Sequence, residues 1–101
     1  MSQHSIELKY SMLFIAVVNA IDKILEREKG QCCVIKPCNV VRELGRDEHK
    51  LIELVRVAMI LEDLADMGAI MRYRYRRGRG RHYLVFKNTF SAFKKSIEVR
   101  E

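Results

Sequence analysis

Proline occurs once, at Pro37, and glycine only five times in 101 residues. So few chain breakers leave no room for a linker or a low-complexity segment, and no internal repeat is visible. The length suits one domain spanning 1–101. Cysteine is scarce and odd in number: Cys32, Cys33 and Cys38 fall within seven positions. An odd, clustered set is not the framework of a disulfide-rich secreted domain. No histidine stands at zinc-finger spacing from it, and the adjacent pair Cys32-Cys33 lacks redox spacing. Buried, reduced thiols are expected, with a redox or metal role and a disulfide as the other readings. His4, His49 and His82 are far apart, and none has an obvious orienting acid. No phosphate-cradling glycine loop is present. The chain is therefore expected not to be an enzyme, and to need no cofactor and no metal. The most apolar stretch, Met12 to Ile21, is too short to span a bilayer and ends in Asp22 and Lys23. The N-terminus lacks a basic segment followed by an apolar run. An intracellular, cytoplasmic protein without membrane contact is expected, nucleoid-associated if the source is prokaryotic.

Acid is missing from one further place, the stretch from Arg72 to Lys87. Residues 72 to 81 hold Arg72, Arg74, Arg76, Arg77, Arg79 and Arg81. The other 13 basic residues are matched by 13 acids, so these six arginines supply the whole net charge of +6. Charge concentrated in ten residues makes a local field suited to a polyanion. A solvated edge that blocks strand aggregation is the bland reading, but one or two lysines would serve that purpose.

Apolar periodicity places the elements. Ile6, Tyr10, Leu13, Val17, Ile21 and Ile24 recur at helical steps, predicting a first helix over Ser5 to Lys29. Cys32 to Lys36 reads as a brief strand or extended link. Pro37 opens a short helix over Asn39 to Leu44, ended by Gly45. Asp47 is the expected N-cap of a long third helix over 48–67, with Gly68 at its C-terminal end. That helix is apolar around most of its circumference, so either it lies at the centre of the domain or part of it meets a partner. A hairpin follows. Arg72, Arg74 and Arg76 alternate with Met71, Tyr73 and Tyr75, and the return strand runs from Arg81 to Lys87. The turn is Arg77-Gly78-Arg79-Gly80. Alternation sets Tyr73 and Tyr75 opposite the arginines, so they are expected to pack the hairpin on the helices. Stacking on bases is the second reading of Tyr73, Tyr75 and Tyr83. Thr89 would cap a last helix, over about 89–98. The fold class is mainly α with a small β-hairpin, α+β.

The succession helix, short strand, helix, long helix, hairpin, together with the run Ile60-Leu61-Glu62-Asp63-Leu64-Ala65-Asp66-Met67-Gly68-Ala69-Ile70, resembles the winged-helix family of DNA-binding domains. The resemblance covers roughly residues 10 to 88. It implies a winged helix-turn-helix with an added C-terminal helix, its wing over about 70–87. It implies double-stranded DNA as partner and the third helix as the one that enters a major groove. Arg46, His49, Lys50, Glu53 and Arg56 would then be the base- or phosphate-contacting residues. Arg56 would fork onto a guanine or touch phosphate only, and Glu53 would instead form an ion pair with Lys50 or Arg56. The interval from Gly45 to Leu64 is several residues longer than the family's compact form, through a longer third helix or an extra turn. The wing arginines would lie on the backbone or in a neighbouring minor groove.

The first and last helices offer more apolar surface than a small monomer needs, so a homodimer is expected. Its contact candidates are Ile6, Tyr10, Leu13, Phe90, Phe93 and Ile97, with packing inside the chain as the other reading. The expected role is a dimeric transcriptional regulator. An architectural or DNA-partition protein with weak sequence preference, and an RNA-binding or protein-interaction module, are the alternatives.

Overall fold

Four helices and three short strands follow one another among the described residues, which are 3–47, 49–73 and 81–99 of a computed structural model; side chains are described for 10–47, 49–73 and 81–97. The order is α1 (Gln3–Arg27), β1 (Cys32–Ile35), α2 (Pro37–Glu43), α3 (Leu51–Asp66), β2 (Met71–Tyr73), β3 (His82–Phe86) and α4 (Lys87–Val99). The chain is thus mostly helical with a small antiparallel sheet, an α+β arrangement. No helix among the described residues is long and apolar enough to cross a membrane.

The sheet has three strands in the order β1-β3-β2. The brief strand foreseen at Cys32 joins the hairpin, pairing antiparallel with β3 so that Cys33 faces Val85 and Ile35 faces Tyr83. On the other edge Arg72 faces Tyr83 and Tyr73 faces His82. Residues opposite one another across an antiparallel pair share a face. One face therefore carries Ile35, Tyr83, Val85 and Arg72. Ile35, Tyr83 and Val85 are buried against the helices.

The core is built from the stripes that the periodicity marks. α1 contributes Val17, Val18, Ile21 and Leu25; α2 contributes Val40 and Val41; α3 contributes Val57, Ile60, Leu61 and Leu64. Phe90 of α4 is fully enclosed among them. Pro37 opens α2 as expected, and Lys36 before it is extended, with its backbone N–H donating to Asn39 Oδ1 at 2.8 Å. Gly45 and Gly68 have φ of +75° and +82°, in the left-handed region that terminates helices without steric cost only in glycine. After α3 the Ala69 N–H bonds back to the Leu64 carbonyl at 2.9 Å and the Gly68 N–H to the Ala65 carbonyl at 3.0 Å. Those two bonds turn the chain from helix into strand, and they fix where the hairpin leaves the core.

One boundary departs from expectation. Asp47 does not cap α3; Lys50 occupies the N-cap position and the helix begins at Leu51. Asp47 Oδ1 instead accepts the His49 backbone N–H at 2.9 Å. An aspartate can bond a backbone N–H two residues on and so stabilise a turn of its own. Arg46, His49 and Lys50 therefore stand in the connection ahead of the helix.

Candidate nucleic-acid interface

Two paired strands, β2 and β3, flank the arginine-rich stretch of sequence. The β2–β3 ladder brings Tyr73 opposite His82. The chain between them carries Arg74, Arg76, Arg77, Arg79 and Arg81, of which Arg74, Arg76, Arg77 and Arg79, with Tyr75, lie outside the described residues. Arg72 and Arg81, at the base, do not project freely. Arg72 Nε donates to Glu62 Oε1 at 2.8 Å, and Arg72 Nη2 donates to Asp66 Oδ1 at 2.7 Å. Arg81 Nη1 lies 3.4 Å from Glu62 Oε2. The absence of acid within the hairpin had suggested an array with no internal neutralisation. At its base the array is in fact partly neutralised, because α3 supplies acids from 6 and 10 residues earlier in the chain.

Glu62 is the hub of this junction. Besides the two arginines it accepts a hydrogen bond from the hydroxyl of Tyr83, whose side chain is buried. The Tyr83 hydroxyl holds the Glu62 carboxyl below its ordinary pKa, burial opposes it, and Arg72 adds to the lowering. Burial first, and then the bond to Glu62, push the Tyr83 phenol up to about 12. The bonds to Asp66 and then Glu62 raise the Arg72 guanidinium further. The hairpin is therefore clamped to α3 by charge-assisted bonds that tie both its strands to one carboxylate.

The tyrosines divide differently from expectation. Tyr83 packs in the core, whereas Tyr73 sits on the outer face of the sheet with Met71, exposed. Arg72 shares the face of Tyr83, so it is the arginine that turns toward the helices. The register sets that choice, since the residue paired with a buried tyrosine must lie on the same side.

α3 is buried along Val57, Ile60, Leu61 and Leu64 and open along the opposite side. That open side is apolar in its first half, where Leu51 is 73 % exposed, Ile52 57 %, Val55 47 % and Met59 58 %, and acidic in its second, through Glu62, Asp63 and Asp66. Of the five residues assigned to base or phosphate contact, Arg46 and Glu53 engage each other, Nη1 to Oε2 at 3.1 Å. Glu53 thus finds its partner in the preceding connection, not in Lys50 or Arg56 as the alternative had it. His49 and Lys50 are exposed just before the helix and Arg56 on its second turn. A groove beside Val55 is lined by Lys36, Cys38, Leu54, Ala58 and Arg81, so the hairpin base, the start of α2 and α3 meet there. The exposed aliphatic stripe was legible only as a helix with too many apolar residues. Which of them the core leaves outside depends on packing.

All three cysteines are free; Cys32 is exposed and Cys33 and Cys38 are half-buried. The expectation of buried thiols fails for Cys32, because β1 is an edge strand and alternate residues face outward. Burial first, then Glu28, raises the Cys33 thiol. No group of three or more potential metal ligands occurs among the described residues. The dimer candidates fare unevenly. Phe90 is fully enclosed in the chain's own core and is not available to a second subunit. Leu13, Phe93 and Ile97 pack against that core. Tyr10 is exposed, its hydroxyl donating to Asp63, and the side chain of Ile6 lies outside the described residues. Met12 and Ile15 are the exposed apolar residues of α1 that the periodicity did not single out.

No family model matches the chain, and neither a curated protein nor a solved structure does.

Proposed function

We propose that this chain is a winged helix-turn-helix domain, extended by α4, that binds duplex DNA through its arginine hairpin. The carrying observation is the junction at Glu62, which clamps both strands of an acid-free, six-arginine hairpin onto α3. A charged loop that only solubilises an edge needs no such anchor. A hairpin that must hold a fixed pose against a polyanion does. The element order and the β1-β3-β2 strand order support the winged-helix reading. In this reading Arg72 and Arg81 position the wing, and Arg74, Arg76, Arg77 and Arg79 neutralise phosphate or enter a narrow minor groove. Lys50 and Arg56 add cations from α3 and the connection before it. Control of transcription is the proposed role, through a site selected by α3.

Binding to a random-sequence duplex and to a matched RNA duplex, measured across a salt series, tests this. Duplex DNA should bind at low salt, and log K should fall linearly with log salt as counterions return to the phosphates. Failure to bind duplex DNA even at low salt would overturn the proposal. Preference for the RNA would redirect it to an RNA partner.

A further inference from the structure

The outer face of the sheet, turned away from the helices, is apolar and partly aromatic. The register sets Tyr73 opposite His82 and Met71 opposite Leu84, with Val34 on the other side of Leu84 and Cys32 beside Phe86. Tyr73, Met71, Val34 and Phe86 are exposed there. Tyr73 and His82 stand at the hairpin end. Phe86 stands four residues further along β3, about 13 Å away at the rise of a strand. No side chain of this face carries a formal charge. The charged groups around it are engaged elsewhere or lie to one side. Glu62 and Asp66 reach Arg72 from the opposite face of the sheet, and Glu62 also engages Arg81. The Lys87 ammonium donates to the Glu28 carbonyl, and Lys36, just past β1, lines the groove beside α3. Apart from the paired Arg81, the sequence between Tyr73 and His82 holds Arg74, Arg76, Arg77 and Arg79, and no acid.

Exposed rings on a flat sheet, joined by a cationic stretch, suit a ligand with planar faces and negative charge. Unpaired bases offer a π-face to an aromatic ring, and the phosphates between them attract arginine. A duplex keeps its base faces inside its own stack, so this surface adds nothing to duplex binding. A second copy of this chain would bring another uncharged face and another arginine stretch, with no acid on either to answer the cations. Resting on the reading of the arginine hairpin as a nucleic-acid contact, we infer that the outer sheet face is a stacking platform for unpaired bases of single-stranded DNA: Tyr73 and Phe86 each carry a base, and Met71 and Leu84 form the floor between them. The spacing of the two rings is too wide for them to clamp a single base. A domain that holds duplex through one surface and an open strand through another is suited to the junction where a duplex opens.

An abasic strand isolates the stack, because it keeps the phosphates and lacks the bases. Affinity is measured for a thymidine oligonucleotide, for an abasic strand of the same length, for a matched uridine RNA strand and for a random duplex. Each stacked base is worth roughly a tenfold gain, so the thymidine strand should bind at least tenfold more tightly than the abasic one. Tyr73→Leu and Phe86→Leu remove a ring at an exposed position and keep apolar bulk, and melting curves check their fold. Each should weaken binding of the thymidine strand roughly tenfold, leave its salt slope unchanged and leave duplex affinity as it was. Equal affinity of the wild type for the thymidine and abasic strands overturns the platform, and duplex binding that persists leaves the proposed function standing. Stacking on the thymidine strand without duplex binding does the reverse. Tighter binding of the RNA strand, sensitive to the same two variants, overturns the assignment to DNA. A wild-type dimer in sedimentation that these variants dissolve assigns the face to a second copy and also overturns it.

Discussion

Replacing Glu62 with alanine should loosen the hairpin from α3 and lower the stability of the whole domain. The variant leaves the buried Tyr83 hydroxyl without its acceptor, and an unsatisfied buried hydroxyl costs about 1–3 kcal/mol. The arginine pairs to the same carboxylate are solvent-exposed and screened, so they add little to that figure. A loss of about 2 kcal/mol in a domain of this size lowers the melting temperature by about 10 °C. Tyr83→Phe removes the donor together with its need for a partner, and should cost about half as much. A Glu62→Gln variant keeps an oxygen for the Tyr83 hydroxyl and removes the charge, so it separates the two contributions through pH. The Glu62 carboxyl in the folded protein titrates below its unfolded value, so its charge stabilises fully above the unfolded carboxylate range. That contribution is lost as pH falls through the folded value. The advantage of the wild type over Glu62→Gln should therefore be greatest near neutral pH and vanish in acid. Thermal melts followed by circular dichroism measure all three variants. A Glu62→Ala melting temperature within about 2 °C of the wild type would refute the hub.

Gly68→Ala should destabilise by about 1–2 kcal/mol, because its φ of +82° disfavours any Cβ while the space around it is open; urea unfolding reads the change. Gly30→Ala, where an added Cβ meets only ordinary contacts, should be near neutral in the same assay. Phe90→Ala should cost about 3–5 kcal/mol, a large share of a small domain's stability, since Phe90 belongs to the chain's own core and not to an outer surface. Thiol labelling near pH 8 followed by mass spectrometry should modify Cys32 first and Cys33 more slowly, as Cys32 is exposed and the Cys33 thiol is raised by burial.

Much of the fold was legible because its signals are local. The spacing of Val17, Ile21 and Ile24 marks α1, Pro37 marks the start of α2, and Gly45 and Gly68 mark two helix ends through the one conformation they alone adopt cheaply. The start of α3 was misplaced because Asp47 bonds to a backbone N–H in two settings, a cap and a turn, and nothing in the neighbouring residues chooses between them. The pairing of β1 with β3 joins residues some fifty positions apart, and four residues reading Cys-Cys-Val-Ile carry no address. The arginine cluster was plain, but its anchoring was not. Glu62 and Asp66 belong to a different element, and only the register that sets Arg72 opposite Tyr83 turns that arginine toward them. The face of α3 was the hardest part to foresee. A helix with this many aliphatic residues must leave some exposed, and α1, α2 and the sheet decide which.

The central claim is that the hairpin meets DNA phosphate. Its most direct test is the slope of log K against log salt for a random duplex, compared between the wild type and Arg77→Ala/Arg79→Ala. These two arginines stand in the turn sequence between β2 and β3. Removing both should lower affinity about equally across sequences and reduce the slope by about two units, close to one for each phosphate no longer neutralised. An unchanged slope and an unchanged affinity would contradict the account.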